Sequence, residues 1–206
     1  VMGEAATGEK ASADHISSMQ TLLGESLAAG GLGFSSSWAR THNDGTGKPV
    51  PSRHASREEI LALCATTGEH AGTTLEFIPT VGAFDEEHKA MMADMSLAAG
   101  RPLNWNVLVP HAFGQETWRG QLSASDYARE RGATVLALTP PLVMTVRLNL
   151  VSGFVRDALR GWAGVIGLPI QERKRALADP AVRERMNQGA TSEAAGVFRA
   201  IANWEN

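Results

Sequence analysis

The sequence predicts an α/β fold, with about four parallel strands, flanking helices and a helical C-terminal segment. Three observations predict it. Apolar stretches too short for helices begin near Gly31, Thr73, Leu103 and Ala133, and the last two intervals are about 30 residues. A helical pattern precedes each stretch, and helix alternating with strand at this spacing gives a parallel sheet with right-handed crossovers. After Pro141 the rhythm changes to Gly-broken apolar sequence and then to charged helical sequence.

Each element has its own signal. Residues 14–29 carry Ile16, Met19, Leu22, Leu23 and Leu27 near i, i+3, i+4 spacing, an amphipathic helix stopped by Gly30 and Gly31. The run GLGFSS from Gly31 to Ser36 is a buried strand that empties into a long polar loop holding Trp38, Arg40, His42, Asn43, Asp44, Gly45 and Gly47. Ser56 followed by Glu59 matches a capping box, and the helix it starts carries Ile60, Leu61, Leu63 and Cys64 to near Gly72. TTLEFIP, from Thr73 to Pro79, is rich in β-branched and aromatic residues and reads as the second strand. Asp85 caps a helix through Met91, Met92, Met95 and Leu97 to Gly100, and its methionines read as core packing. LNWNVLV, from Leu103 to Val109, is the third strand, ended by Pro110. Ser123 to Asp126 reads as the cap of a short helix ending at Gly132, and TVLAL, from Thr134 to Leu138, as the fourth strand. The strands lack strict polar alternation, which predicts helices on one face and a packed interior on the other. Leu168–Ala178 is a charged helix. Asp179 and Pro180 then supply the N-cap and first residue of the next one, and the arginines and lysines here read as a solvated face.

Four αβ units over residues 1–140 are half of an eight-unit barrel, so the prediction is a partial (β/α)8 TIM barrel with a mostly helical extension over 141–206. A half barrel leaves its first and last strands with unpaired edges. These predict pairing with the remainder of a parent chain, or a homo-oligomer formed through the open edges. An opening that does not read like a natural start also suggests an internal fragment.

Composition narrows the function. The 206 residues are 43% hydrophobic, which supports a core, and the net charge of −3 lacks the basic excess of a nucleic-acid surface. A single cysteine rules out an intrachain disulfide. Cys64 lies on an apolar helix face with no basic neighbour and reads as a core thiol rather than a nucleophile. No apolar run approaches the roughly 20 residues of a membrane span, and no signal peptide is visible, so the expectation is a cytoplasmic protein.

Chemistry in parallel α/β folds collects at the C-terminal ends of strands. This makes Ser35, Ser37, Arg40 and His42 pocket candidates after the first strand, and His111 after the third. Within strands, Glu76, Asn104 and Asn106 stand out. A buried carboxylate is expensive unless paired or used, so Glu76 is either paired with an arginine or a backbone amide, or faces the pocket as acid, base or metal ligand. Asn104 and Asn106 share one face by strand alternation. His15, His70 and His88 fall on helices, and the six histidines form no HxH or HExxH pair. Phosphate-loop, dinucleotide-binding and GxSxG signatures are also absent.

One stretch carries a resemblance. SLAAGGLGFSSSWARTHNDGTGKPVPSRHASREEILALC joins a helix ending at Ala28, a GFSSS strand, a loop with His42, Asp44-Gly45 and Pro49-Val50-Pro51, and a helix holding Glu59 to Leu63. It resembles the metal-dependent amidohydrolases of the D-aminoacylase branch, the N-acyl-D-amino-acid deacylases. VMGEAA and LPIQERKRALADPAVRERM are also similar to that family. The resemblance implies a (β/α)8 barrel that hydrolyses a non-peptide amide carbon–nitrogen bond, in an N-acyl amino acid or a related amide, with zinc-activated water. It places the family's HxH upstream of Val1 and its catalytic aspartate downstream of Asn206, so this chain alone is expected to be inactive and to bind no metal. The family's middle-strand histidines fall on or beside Glu76 and Asn106, where this chain has none. That departure implies an altered metal set, with Glu76 as a ligand candidate, or polar roles for Glu76 and Asn106. The alternative is a non-catalytic barrel segment or assembly module that has lost the metal site. A free-standing α/β binding domain is a third reading.

Overall fold

The computed structural model describes residues 1–45, 47–110, 115–142, 147, 149–151, 156 and 159–202. They form an α/β arrangement with four parallel strands in one sheet and seven α-helices among the described residues. Two compact units divide the chain: residues 1–39 with 51–144, and residues 40–50 with 145–206.

The first unit holds the sheet. Its order is α1 (Ala13–Ala28), β1 (Gly33–Ser37), α2 (Arg57–Gly68), β2 (Thr74–Ile78), α3 (Glu86–Ala99), β3 (Leu103–Asn106), α4 (Gln115–Arg129) and β4 (Val135–Leu138). The strands lie side by side in chain order, each parallel to the next. Register places Ser35 beside Glu76, Glu76 beside Asn104, and Asn104 beside Leu136.

Helix starts follow the expected chemistry. Ser56 Oγ accepts from the Glu59 amide at 3.2 Å, and Asp85 Oδ1 accepts from the His88 amide at 2.9 Å. Burial raises the Glu59 carboxyl above its ordinary range, and the Ser56 amide opposes that. Ser12 caps α1 with His15 as its reciprocal partner, and Asp85 is matched by His88 in the same way. These two histidines therefore serve helix starts. His70 lies beyond α2, which stops at Gly68, earlier than the sequence suggested. At Gly68 the end of α3 comes so close that a Cβ would overlap the Ala99 carbonyl oxygen. Arg101 closes the same end of the sheet, donating through Nη2 to the carbonyls of Gly68 and His70, both at 3.1 Å. Ser96 Oγ donates to the Arg101 carbonyl at 2.8 Å and accepts from the Thr134 amide at 3.0 Å.

The fourth helix corrects the sequence reading. Ser123–Asp126 is not a cap but the middle of α4, which begins at Gln115. Ser123 Oγ donates back to the Gly120 carbonyl at 2.6 Å, and Asp126 accepts from Arg129 at 2.8 Å, both ordinary bonds within a helix. The buried stripe of α4 is Gln121, Ala124 and Ala128, too small and polar to register as a hydrophobic period.

The core lies between the sheet and α2–α4. Leu75, Phe77, Leu103, Trp105 and Val135 meet Ile60, Cys64, Met91, Met92 and Met95. The methionines and Cys64 are thus core residues, and burial pushes the Cys64 thiol up to about 12. Contrary to the expected lack of alternation, β2 and β3 alternate strictly between buried and less buried residues. Among the described residues of this unit, the helices that pack on the sheet, α2–α4, lie on the core face, so the residues of the second face are free to be polar.

In the second unit, α5 (Ala163–Ile166), α6 (Ile170–Ala178), α7 (Pro180–Thr191) and a 3₁₀ segment (Glu193–Ala202) enclose a small core of Leu159, Trp162, Ile166, Met186 and Ala190. Trp162 Nε1 donates to the Met186 carbonyl at 2.7 Å. Asp179 Oδ1 accepts from the Ala181 amide at 2.8 Å, with Pro180 at the first helical position, as expected. α6 buries no residue, in line with a solvated face, yet two arginines have structural partners. Arg173 donates to the Leu168 and Val151 carbonyls, and Arg183 to those of Leu177 and Ala178. No described helix is long and apolar enough to cross a membrane.

Candidate functional site

The uncovered sheet face brings several of the singled-out residues together. Alternation puts Ser35, Thr74, Glu76, Ile78, Asn104, Asn106, Leu136 and Leu138 on it, opposite the core face. Asn106 Nδ2 donates to Glu76 Oε1 at 2.8 Å. Glu76 therefore has a neutral side-chain amide as its partner, neither the arginine nor the backbone amide the sequence suggested. Asn104 Nδ2 reaches Thr74 Oγ1 at 3.4 Å, and Thr74 Oγ1 reaches the Pro102 carbonyl at 3.4 Å. Asn106 Oδ1 is buried and has no hydrogen-bond partner among the described residues. Leaving a buried acceptor unmade costs about 1–3 kcal/mol, so such an atom calls for a reason.

Ser37 shares that face by alternation, in register with Ile78, but is buried, and its hydroxyl is engaged locally, donating to the Ile78 carbonyl at 3.4 Å and accepting from the Ala39 amide at 3.1 Å. The remaining singled-out residues are placed differently. Arg40 and His42 belong to the second unit. There the loop folds on itself, with the Val50 amide bonded to the His42 carbonyl at 3.2 Å and Asp44 Oδ1 accepting from the Lys48 amide at 3.0 Å. His111 lies outside the described residues.

A polar cavity of about 530 Å³ was not anticipated. Trp38, His54, Arg57, Glu58, Glu87 and Lys10 contribute to its wall, at the helix starts of α2 and α3. Trp38 meets Phe77 edge-on at 5.4 Å between ring centres. Arg57 is paired with Asp94, and His54 Nε2 is buried without a partner among the described residues. Glu58 is held below the usual carboxylate range by its own backbone amide first, then by the Ser56 hydroxyl, with smaller help from Lys10 and Arg57. The signal was the run RHASREE, a dense set of charges across a helix start.

The zinc implied by the resemblance does not fit the described residues. No three histidine, cysteine, aspartate or glutamate side chains converge among them. The neighbours of Glu76 on its face are amides, hydroxyls and aliphatic groups, which make a poor zinc donor set. The arrangement can instead bind a polar group through hydrogen bonds. The chain matches no protein-family model, no curated protein and no solved structure.

Proposed function

We propose that this chain is part of a partial (β/α)8 barrel from a hydrolase of non-peptide amide carbon–nitrogen bonds, with an N-acyl amino acid or related amide as substrate. Within it, this chain holds substrate through the uncovered face of the sheet. The observation that carries the reading is the hydrogen-bonded Glu76–Asn106 pair on that face of an all-parallel sheet. Ligand sites in such sheets gather near the C-terminal ends of the strands, and Asn106 is the last residue of β3. The likeness of residues 26–64 to the D-aminoacylase branch supports the choice of reaction. The metal ligands of that branch then belong to other parts of a longer protein, and the open edges of β1 and β4 are where its further strands pair.

The test measures metal content and hydrolysis of N-acyl amino acids side by side, for this chain and for a longer protein that contains it. Metal and activity in the longer protein alone are expected. Metal and activity in neither would overturn the reading in favour of a non-catalytic module. In an active longer protein, Glu76→Gln is expected to raise KM with the fold intact, and an unchanged KM would remove Glu76 from substrate binding.

A further inference from the structure

Counting donors and acceptors around Glu76 gives an imbalance. The residues sharing its face on the neighbouring strands, Ser35, Asn104, Asn106 and Leu136 among them, include no positive charge. Its one hydrogen bond uses an Asn106 N–H and leaves acceptors behind. These are the second Glu76 oxygen, the buried Asn106 Oδ1 without a partner among the described residues, and the hydroxyl of Ser35 in register beside Glu76. Glu76 is a half-buried carboxylate that forms no ion pair among the described residues. Buried Asn106 Oδ1 is out of a ligand's reach, so the second Glu76 oxygen and the exposed Ser35 hydroxyl are the acceptors on offer, and the Asn106 N–H bonded to Glu76 holds the carboxylate in place.

We infer that Glu76, Asn106 and Ser35 form a binding site for a cationic N–H group of a small ligand, a primary ammonium or a guanidinium. Several N–H donors on one positive centre match several acceptors around one negative charge. Ile78 and Leu138 lie on the same face nearer the strand ends, and Leu138 is 43% exposed. They give the alkyl stem of such a group an apolar surface. This rests on the reading of the face as a substrate site, and it narrows the substrate class to amides that carry a basic side chain or an amine arm.

Binding is tested on this chain by NMR titration with butylammonium and methylguanidinium, against 1-butanol and butyrate as neutral and anionic controls. The cations are expected to move the Asn106 side-chain amide and the Ser35 backbone amide, and to bind at least about tenfold more tightly than either control. Glu76→Gln, with its fold checked by circular dichroism, is expected to abolish that preference, and Ser35→Ala to weaken binding less. Equal binding of butanol or butyrate overturns the site, as does a cation preference that survives Glu76→Gln. The selectivity of the unaltered chain decides the matter even if a variant fails to fold. The two readings fail separately. A longer protein that hydrolyses only neutral N-acyl amino acids, with no cation bound here, removes this site and leaves the hydrolase. Cation binding without any hydrolysis removes the hydrolase and leaves the site.

Discussion

The two faces of the sheet are made by alternate residues of the same strands, and they differ in almost every physical respect. One face presents Leu75, Phe77, Leu103, Trp105 and Val135 to the helices, with Trp105 only 1% exposed. The other presents Ser35, Glu76, Asn104 and Asn106, with Leu136 left 48% exposed. Residues one position apart therefore answer to different demands. Leu75 is held by packing, and Glu76 by one hydrogen bond. Stability resides on the first face, which leaves the second open to chemistry. A period of two is enough to keep them apart.

The strongest way to break this contrast is Trp105→Ala. It empties a large volume at the centre of the covered face, and a loss of about 3–5 kcal/mol is expected in denaturant unfolding. Trp105→Phe sharpens the point. The indole N–H has no partner among the described residues, so keeping a ring while dropping that N–H is expected to recover most of the loss.

Alkaline pH probes the same face through Cys64. Its thiol is raised by burial from an ordinary 9.0 to about 12. A raised acid gives stability that is complete below pH 9 and lost as the pH climbs towards the folded value. Compared with Cys64→Ala, the native chain is expected to lose about 2 kcal/mol more by about pH 10.5. Matching pH profiles for the two proteins would show that the thiol is not sealed off.

Arg101→Ala tests the closed end of the sheet. Removing the guanidinium leaves the Gly68 and His70 carbonyls without that donor, and about 1–2 kcal/mol is expected to go in thermal or denaturant melts. The smallest effect belongs to the uncovered face. Glu76→Gln is expected to change stability by less than about 0.5 kcal/mol, because a half-buried carboxylate bonded to a neutral amide adds little to folding. A loss comparable to that of Trp105→Ala would make Glu76 a structural residue and erase the contrast.

Much of the first unit was legible in the sequence because its signals are local. Ser56 and Asp85 were readable as caps from side-chain chemistry alone, as was Asp179 in the second unit, and β2 announced itself through β-branched and aromatic residues. α4 was misread because its buried stripe is Gln121, Ala124 and Ala128, and because serines inside a helix resemble serines at its start. Glu76 and Asn106 were visible as polar interruptions of apolar strands. Their bond to each other was not, since it depends on the register between two strands thirty residues apart in the chain. The assignment of residues 40–50 to the second unit is likewise a property of distant contacts that no local pattern encodes. The polar cavity was missed because its wall gathers side chains from four separate chain segments.

The close approach of Gly68 to Ala99, with Arg101 across the same carbonyls, has a consequence for how this chain can change. The connections running into β2 and β3 are bolted down, so extra residues placed there have no room and break named bonds. The connection from β2 to α3, residues 79–85, is held at its far end instead, where the Gly82 carbonyl accepts from Gln121 Nε2 at 2.8 Å and Phe84 meets Trp105 edge-on at 4.9 Å between ring centres. Val81, 39% exposed between those ties and buried Pro79, is the point where this connection can take extra residues without loosening the frame beneath.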